Sequence, residues 1–304
     1  MAEKEKKYDV VIIGGGAAGL SAGIYAVRYG LSCCIVSKEI GGMANWAHKV
    51  ENYPGIITDG ADLMQKFYAQ AKSLGVDFII DEIGKIEKNP HGLEIILKNK
   101  QTILGKSLII ALGTEKRKLE IPGEKEFLGK GVSYCATCDA FFFKNKEVAV
   151  IGGGDSASKA ALALVGIAKK VYVIYRGEAL RCQEIDKRKL EASTSILCSA
   201  IPVLIKGNKK VEGLIINENG KERELKVDGV FIEVGVFPKS ELARQVGLKI
   251  DESGYIVVND AMETTVPGVF AAGDIVKSKL KQIIVASSQG AIAAKSAFDF
   301  VSTK

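Results

Sequence analysis

The sequence predicts an α/β protein built from two three-layer dinucleotide-binding domains. Three observations carry that prediction. First, a β-branched run at residues 8–13 meets the glycine turn Gly14-Gly15-Gly16-Ala17-Ala18-Gly19 and then a small-residue helix. Second, the same order recurs at 147–151, followed by Gly152-Gly153-Gly154-Asp155-Ser156-Ala157. Both turns stand between strand and helix, the context in which such glycines hold a pyrophosphate, so both units read as Rossmann-like. Third, two cysteines two residues apart, Cys135 and Cys138, lie between the turns.

In the first unit the strand at 8–13 feeds a helix over about 17–29, and 31–37 forms the next strand. Gly14 permits the tight turn, Gly16 lets the backbone approach phosphate, and Gly19 lets helix pack on strand. Ala17 and Ala18 open the helix, whose N-terminus faces the negative charge. An acid usually ends the second strand and binds a ribose hydroxyl. Here the end reads Ser37-Lys38-Glu39, and Ser37 or Glu39 could serve. The alternative for Glu39 is a plain loop carboxylate.

In the second unit the helix runs to about 166 and the second strand covers 170–175. Gly152, Gly154, Asp155, Ser156 and Ala157 are the candidates for holding the dinucleotide. The strand ends in Tyr175-Arg176, and a basic residue there suits a 2′-phosphate, as in NADP. Arg181 is a second candidate for that phosphate. The alternative for Arg176 is a solvated strand-end arginine. Next come a charged, helical-looking segment at 178–191 and strand-like runs at 196–205, 211–216 and 230–234. Gly220 marks a hairpin turn, and Gly254 a turn before a strand at 255–258. The stretch 264–274 ends in Gly273-Asp274, where a strand gives way to a helix. The tail 282–301 reads as an alanine-rich amphipathic helix.

Composition removes several function classes. The chain has 304 residues, enough for two domains, with a mild formal charge of +6. Its basic residues are scattered apart from short clusters at 4–7 and 277–281, so no stripe for nucleic acid emerges. The apolar run 8–27 is interrupted by three consecutive glycines and reads as strand, turn and helix, not as a membrane span. Six cysteines in a chain of this length form no secreted disulfide framework, and the N-terminus carries no secretory h-region, which places the protein in a reducing cytoplasm.

Cys135-Ala136-Thr137-Cys138 therefore reads as a redox pair that alternates between a small disulfide loop and a thiolate. Thiol–disulfide exchange needs an attacking thiolate, a resolving thiol and a proton for the leaving sulfur. Asp139 is the local candidate for general acid, which requires a raised pKa in a partly buried site; the alternative is a helix cap. Zinc would need two further ligands at suitable spacing, and Cys182 and Cys198 are not spaced to provide them. Cys33 and Cys34 read as buried small hydrophobes. Cys182 and Cys198 read as free thiols, with a pairing left open. His48 and His91 read as surface residues. Phe141-Phe142-Phe143 reads as core or domain-interface packing, and Trp46 as a neighbour of the cofactor or of a dimer interface.

Together these motifs resemble the low-molecular-weight thioredoxin reductases of the prokaryotic type, a family of flavoprotein disulfide reductases. The resemblance rests on Gly14–Gly19, Gly41-Gly42, Glu51-Asn52-Tyr53-Pro54-Gly55, Ala111-Leu112-Gly113, Cys135-Ala136-Thr137-Cys138-Asp139, Gly152–Ala157 and the run 268–274, in the family's order. It implies FAD on the first turn and NADPH on the second. It implies a discontinuous FAD domain at 1–117 and 246–304, with an NAD(P)H domain at 118–245 carrying the cysteines. It implies that Gly42, Asn52, Gly113, Gly273, Asp274, Lys281 and Gln282 belong to the cofactor site, with Asp274 near the ribityl or pyrophosphate region. It also implies that Cys138 lies next to the flavin, that Cys135 attacks the partner, and that the enzyme is a homodimer whose domains rotate. The partner would be thioredoxin or a glutaredoxin-like protein disulfide.

The chain departs from the family at Ala140, where glycine is common, and at Met43-Ala44-Asn45-Trp46. It departs again at Ser158-Lys159-Ala160, Tyr175-Arg176-Gly177 and Lys281-Gln282. The second-unit departures leave NADH or a non-nicotinamide donor as alternatives to NADPH. An NAD(P)H oxidase, and a non-catalytic flavin redox sensor, are the competing functions.

Overall fold

The computed structural model describes residues 6–47, 49–89 and 92–303. His48 and His91 lie outside the described residues. The chain divides into unit 1, Met1–Glu115 with Phe237–Lys304, and unit 2, Lys116–Val236.

The chain begins in unit 1 with β1 (Lys6–Gly15), α1 (Ala17–Arg28) and β2 (Cys33–Ile40). A hairpin of β3 (Val50–Tyr53) and β4 (Ile56–Thr58) precedes α2 (Gly60–Ser73) and β5 (Asp77–Ile80). Then come β6 (Ile83–Asn89), β7 (Gly92–Leu97) and β8 (Thr102–Ile110), and β9 (Thr114–Lys116) leads out. Unit 2 holds β10 (Val132–Ser133), α3 (Ala136–Asp139), β11 (Glu147–Ile151), α4 (Asp155–Val165), β12 (Lys170–Ile174) and α5 (Glu184–Ser193). It continues through β13 (Ser195–Leu197), β14 (Ala200–Gly207), β15 (Val211–Glu218), β16 (Lys221–Leu225) and β17 (Gly229–Ile232). The return strand β18 (Val236–Pro238) pairs with β9, and α6 (Glu241–Gln245), β19 (Val269–Ala271) and α7 (Ile283–Ser302) complete unit 1.

The unit 1 sheet runs β5-β2-β1-β8-β7-β6, with β19 also paired to β8. β1, β2, β5, β8 and β19 are parallel, while β6 and β7 add antiparallel edges. Val10, Ile12 and Ile35 feed a core with α1, α2 and α7; Val11, Ile13 and Val36 feed the opposite core. This is the alternation that burial on both faces of a sheet demands. The sheet of unit 2 runs β10-β17-β11-β12-β13, all parallel, beside an antiparallel β14-β15-β16 meander. Two three-layer Rossmann-like units thus stand as expected.

Several elements differ from expectation. Residues 178–183 are not helical: α5 begins at Glu184, because Arg181 N–H donates to Gly153 O (2.6 Å) and Gln183 N–H to Asp155 Oδ1 (3.2 Å). Those bonds hold the segment as a loop over the glycine turn. The run 196–205 breaks into β13 and β14 at Ser199, whose φ of +50 turns the chain from one sheet to the other. No strand forms at 255–258; Ile256 makes isolated bridges to Ile250 and Val276. Asp274 opens no long helix. Gly273–Ile275 is a single 3₁₀ turn, and α7 starts only after Gln282. The chain returns to unit 1 at Phe237, ahead of Val246, because Leu242, Ala243 and Val246 pack in the unit 1 core.

Candidate dinucleotide and dithiol sites

The two glycine turns share one local design. Gly14 has φ +115, and a Cβ there would stand 2.3 Å from Ala111 O. At Gly19 a Cβ would stand 1.8 Å from Gly14 O, so α1 seats on β1 only through glycine. Gly16 differs. Its φ is −81, and a Cβ would meet nothing nearer than Gly41 O at 3.9 Å. Gly42 faces the same space, its nearest neighbour being Gly16 Cα at 3.9 Å. Two glycines thus line an open cradle at the N-terminus of α1, which fits a pyrophosphate. Ala17 and Ala18 are buried at the head of α1, where α7 comes so close that a Cβ at Gly290 would lie 2.1 Å from Ala18 O.

The remaining unit 1 candidates fall into three groups. Ser37 Oγ accepts from Gly15 N–H (2.9 Å) and donates to Glu39 O (2.6 Å), so it shapes the turn itself. Lys38 pairs with Glu82 (2.7 Å), which also pairs with Lys98, and these two lysines hold the Glu82 carboxyl down to about 2. Glu39 is exposed beside them. Across the sheet's carboxyl end, Asn52 donates to Gln282 Oε1 (3.0 Å), and Gly113 (φ +67) has open space at its Cβ position. Gly273 N–H donates to Gln289 Oε1 (2.9 Å), with Asp274 next to it. Lys281 behaves as a brace: Nζ donates to Asp274 O (2.8 Å) and Val276 O (3.3 Å) and sits 4.3 Å over the Tyr255 ring. Burial lowers its pKa, and the charge of Asp274 resists.

In unit 2, Gly152 (φ +146) plays the part of Gly14, since a Cβ would stand 2.3 Å from Glu233 O. Gly154 precedes α4 with no atom within 4 Å of its Cβ position, and Ala157 is buried where Gly19 stands in the first turn. Asp155 and Ser156 form the exposed first turn of α4. Ser156 Oγ donates to a Glu233 carboxylate oxygen at 2.5 Å. Sequence reading passed over Glu233. Its signal was an acid at the carboxyl end of the 230–234 strand, beside a glycine turn. Burial raises its pKa; the charge of Lys116, the Ser156 hydroxyl and the Ala136 amide resist. Arg176 is exposed, and the Arg181 guanidinium lies 5.6 Å over the Tyr175 ring. That ring packs on the turn, for a Cβ at Gly153 would lie 2.4 Å from it.

The dithiol turn belongs to unit 2. Cys135 and Cys138 form a disulfide with Cα atoms 5.3 Å apart, and Cys135 caps α3 through a Cys138 N–H···Sγ contact of 3.2 Å. Asp139 is buried and stands at the N-cap of the 3₁₀ turn Ala140–Phe143 without a side-chain cap bond to it; its Oδ2 accepts from Ser133 Oγ (2.6 Å), which accepts from Cys135 N–H (3.0 Å). The turn is held further by Lys116 Nζ donating to Tyr134 O (2.7 Å) and by Tyr134 O–H donating to buried Glu124. The phenylalanine run divides: Phe143 is core against Phe231, whereas Phe141 and Phe142 are exposed, as is Trp46. Cys33 and Cys34 are buried in β2, and burial pushes the Cys34 thiol up to about 12. Cys182 and Cys198 are unpaired with each other. Among the described residues no metal-ligating group of three or more side chains occurs.

The model of the family described as pyridine nucleotide-disulphide oxidoreductase matches residues 8–290. The chain is 39% identical over 306 residues to a thioredoxin reductase of Bacillus subtilis, covering 98% of this chain and 96% of that one. It is 40% identical over 309 residues to that of Listeria monocytogenes, covering 99% and 96%. Among solved structures, thioredoxin reductase from Streptococcus pyogenes aligns with a TM-score of 0.92 at 34% identity, covering 99% of this chain and all of that one.

Proposed function

The chain belongs to the pyridine nucleotide-disulphide oxidoreductase family, and on that footing we propose that it is a thioredoxin reductase. It passes electrons from NADPH through FAD and the Cys135–Cys138 disulfide to thioredoxin or a glutaredoxin-like protein. The observation that carries this reading is the Cys135–Cys138 disulfide itself, standing in the unit that bears the second glycine turn. FAD bound in the unit 1 cradle supplies the two-electron carrier between nicotinamide and dithiol.

Gly14, Gly16, Ala17, Ala18, Gly19 and Gly42 would hold its pyrophosphate. Ser37, Lys38 and Glu39 would stand by the adenosine, and Asn52, Gly113, Gly273, Asp274, Lys281 and Gln282 would line the rest. In unit 2, Gly152, Gly154, Asp155, Ser156 and Ala157 would hold the NADPH pyrophosphate, with Arg176 and Arg181 at the 2′-phosphate. Unit 1 is then the FAD domain and unit 2 the NAD(P)H domain.

The exchange step follows from the dithiol turn. In the reduced turn, the Cys138 N–H beside Cys135 Sγ favours a thiolate on Cys135. That thiolate attacks one sulfur of the partner's disulfide, forming a bond to it and releasing the other sulfur as a thiolate, which takes a proton. Cys138 then attacks Cys135 Sγ, re-forms the intramolecular disulfide and frees the partner's remaining thiolate. The partner gains two electrons and the dithiol loses two. Asp139, buried within the turn, is the group that supplies the proton. The protein works as a cytoplasmic homodimer without nucleic acid or membrane. No helix among the described residues is long and apolar enough to cross a membrane, and exposed Tyr25, Ile284 and Ile292 on α1 and α7 offer apolar surface to a second copy.

An anaerobic titration of the yellow protein with NADPH, and separately NADH, tests the reading. Bleaching of the flavin band by NADPH at low excess is expected. Bleaching by NADH alone would remove Arg176 and Arg181 from the phosphate site. If neither bleaches it while a dithiol does, the nicotinamide is not the donor.

A further inference from the structure

Glu233 stands where neither the chain's glycine-turn motif nor its dithiol requires an acid. It follows β17, and its backbone oxygen is the atom that a side chain at Gly152 would strike. Its carboxylate accepts the Ser156 hydroxyl at 2.5 Å, in the first turn of α4. That helix end, with its exposed amides and hydroxyl, is the place where a pyrophosphate is stabilised. A carboxylate on Ser156 and a phosphate oxygen on Ser156 compete for one O–H, and two anions on that side of the turn repel.

We propose that Glu233 gates the dinucleotide turn: its carboxylate holds the Ser156 hydroxyl until Glu233 takes up a proton, and the nicotinamide dinucleotide binds as that proton is gained. The proposal rests on the dinucleotide reading of unit 2 and adds a proton-linked residue to its binding turn. Half-buried placement favours the neutral form of Glu233, which suits the role. The charged groups on the surrounding elements are Lys116, Asp155 and Arg117. Lys116 is fixed on Tyr134 O, and Asp155 accepts the Gln183 amide at the head of α4. Arg117 lies under Gly235, and Cys135 and Cys138 do not titrate while joined. The sign is definite. Bound phosphate favours neutral Glu233, so affinity falls as pH rises through the Glu233 pKa, by up to about tenfold per pH unit for a single linked proton.

The test is the dissociation constant of NADP⁺, and separately NAD⁺, for the oxidised holoenzyme, by calorimetry from mild acid to mild alkali. Wild type is compared with Glu233→Gln, which keeps the shape and loses the charge. Oxidised dinucleotide reduces nothing, so binding alone is read. Titration of the 2′-phosphate of NADP⁺ is common to both proteins and cancels in their ratio. The proposal expects Glu233→Gln to bind more tightly, with a ratio that widens as pH rises. A ratio that stays constant with pH overturns the gate and leaves the dinucleotide site standing. If neither protein binds either dinucleotide at any pH, the dinucleotide reading of the turn falls and the gate falls with it. Glu233→Ala, which also lacks the charge, gives the same readout should the glutamine variant not fold; retention of the flavin band checks folding.

Discussion

Gly16 and Gly19 occupy the same turn yet answer to different forces. A methyl at Gly19 would collide with Gly14 O at 1.8 Å, so Gly19→Ala is expected to lower stability by at least ~1–3 kcal/mol, read as an earlier thermal melt. A methyl at Gly16 meets open space at an ordinary φ, so Gly16→Ala is expected to leave the apo-protein melt within ~0.5 kcal/mol while weakening flavin retention. Equal effects on both melts would contradict the cradle. At the dithiol, Cys138→Ser keeps the attacking thiol and removes the resolving one. It is expected to trap a mixed disulfide with oxidised thioredoxin, visible by mass spectrometry; trapping by Cys135→Ser instead would reverse the two roles. Asp139→Asn removes the proposed proton donor in the turn and is expected to slow disulfide reduction by ~10²–10⁴-fold, measured with saturating reductant.

At the scale of elements, the dithiol turn and the end of β2 are both held by side chains, but in different surroundings. In the turn the bonded pair is buried: Ser133 links the Cys135 amide to Asp139 at 3.0 and 2.6 Å. Ser133→Ala leaves both without that partner and is expected to cost ~1–3 kcal/mol, with a drop in turnover that added salt does not change. The β2 end is exposed. Glu82 ties Lys38 of β2 to Lys98 beyond β7, and its carboxyl is held at about 2 against an ordinary 4.5. A depressed carboxyl stabilises the fold above its unfolded pKa, and that contribution is lost as pH falls from about 4.5 toward about 2. Denaturation midpoints of wild type and Glu82→Gln should therefore differ slightly at neutral pH, converge in acid, and converge likewise in high salt. Such dependence on charge also shows how far the sequence could be read here. Ser37-Lys38-Glu39 was legible as the place where a ribose ligand belongs, but the Ser37 hydroxyl serves Gly15 and Glu39 backbone, and Lys38 serves Glu82. Glu82 comes from a turn far along the chain, and no local pattern announces it.

At the scale of the whole molecule, the inserted unit is a continuous segment, Lys116–Val236, with its own cores around Ile151 and Phe231. β9 and β18, the strands that lead out to it and back from it, pair with each other, so its ends are close. A polypeptide of residues 116–236 is expected to fold alone with a cooperative melt and to form the Cys135–Cys138 disulfide on oxidation, by circular dichroism and thiol titration. A fragment that stays unfolded would show that unit 1 is needed to complete it.

The sequence by itself determined what depends on near neighbours in the chain. The strand–glycine–helix order at 8–19 and 147–157 marked two glycine turns of the dinucleotide-binding form, since φ above zero at Gly14 and Gly152 and close backbone approach select glycine locally. The Cys135–Cys138 spacing fixed a closable loop for the same reason. Only the tertiary structure decided what depends on residues brought from afar. It turned 178–183 into a loop by bonding Arg181 to Gly153, although charge patterning favoured helix. It set Glu233 on Ser156 across the ends of two strands, and Lys281 on the carbonyls of Asp274 and Val276. A side chain's hydrogen-bond partner is chosen by sheet order and strand register, and those follow from burying both faces of each sheet at once, which no short window of sequence contains.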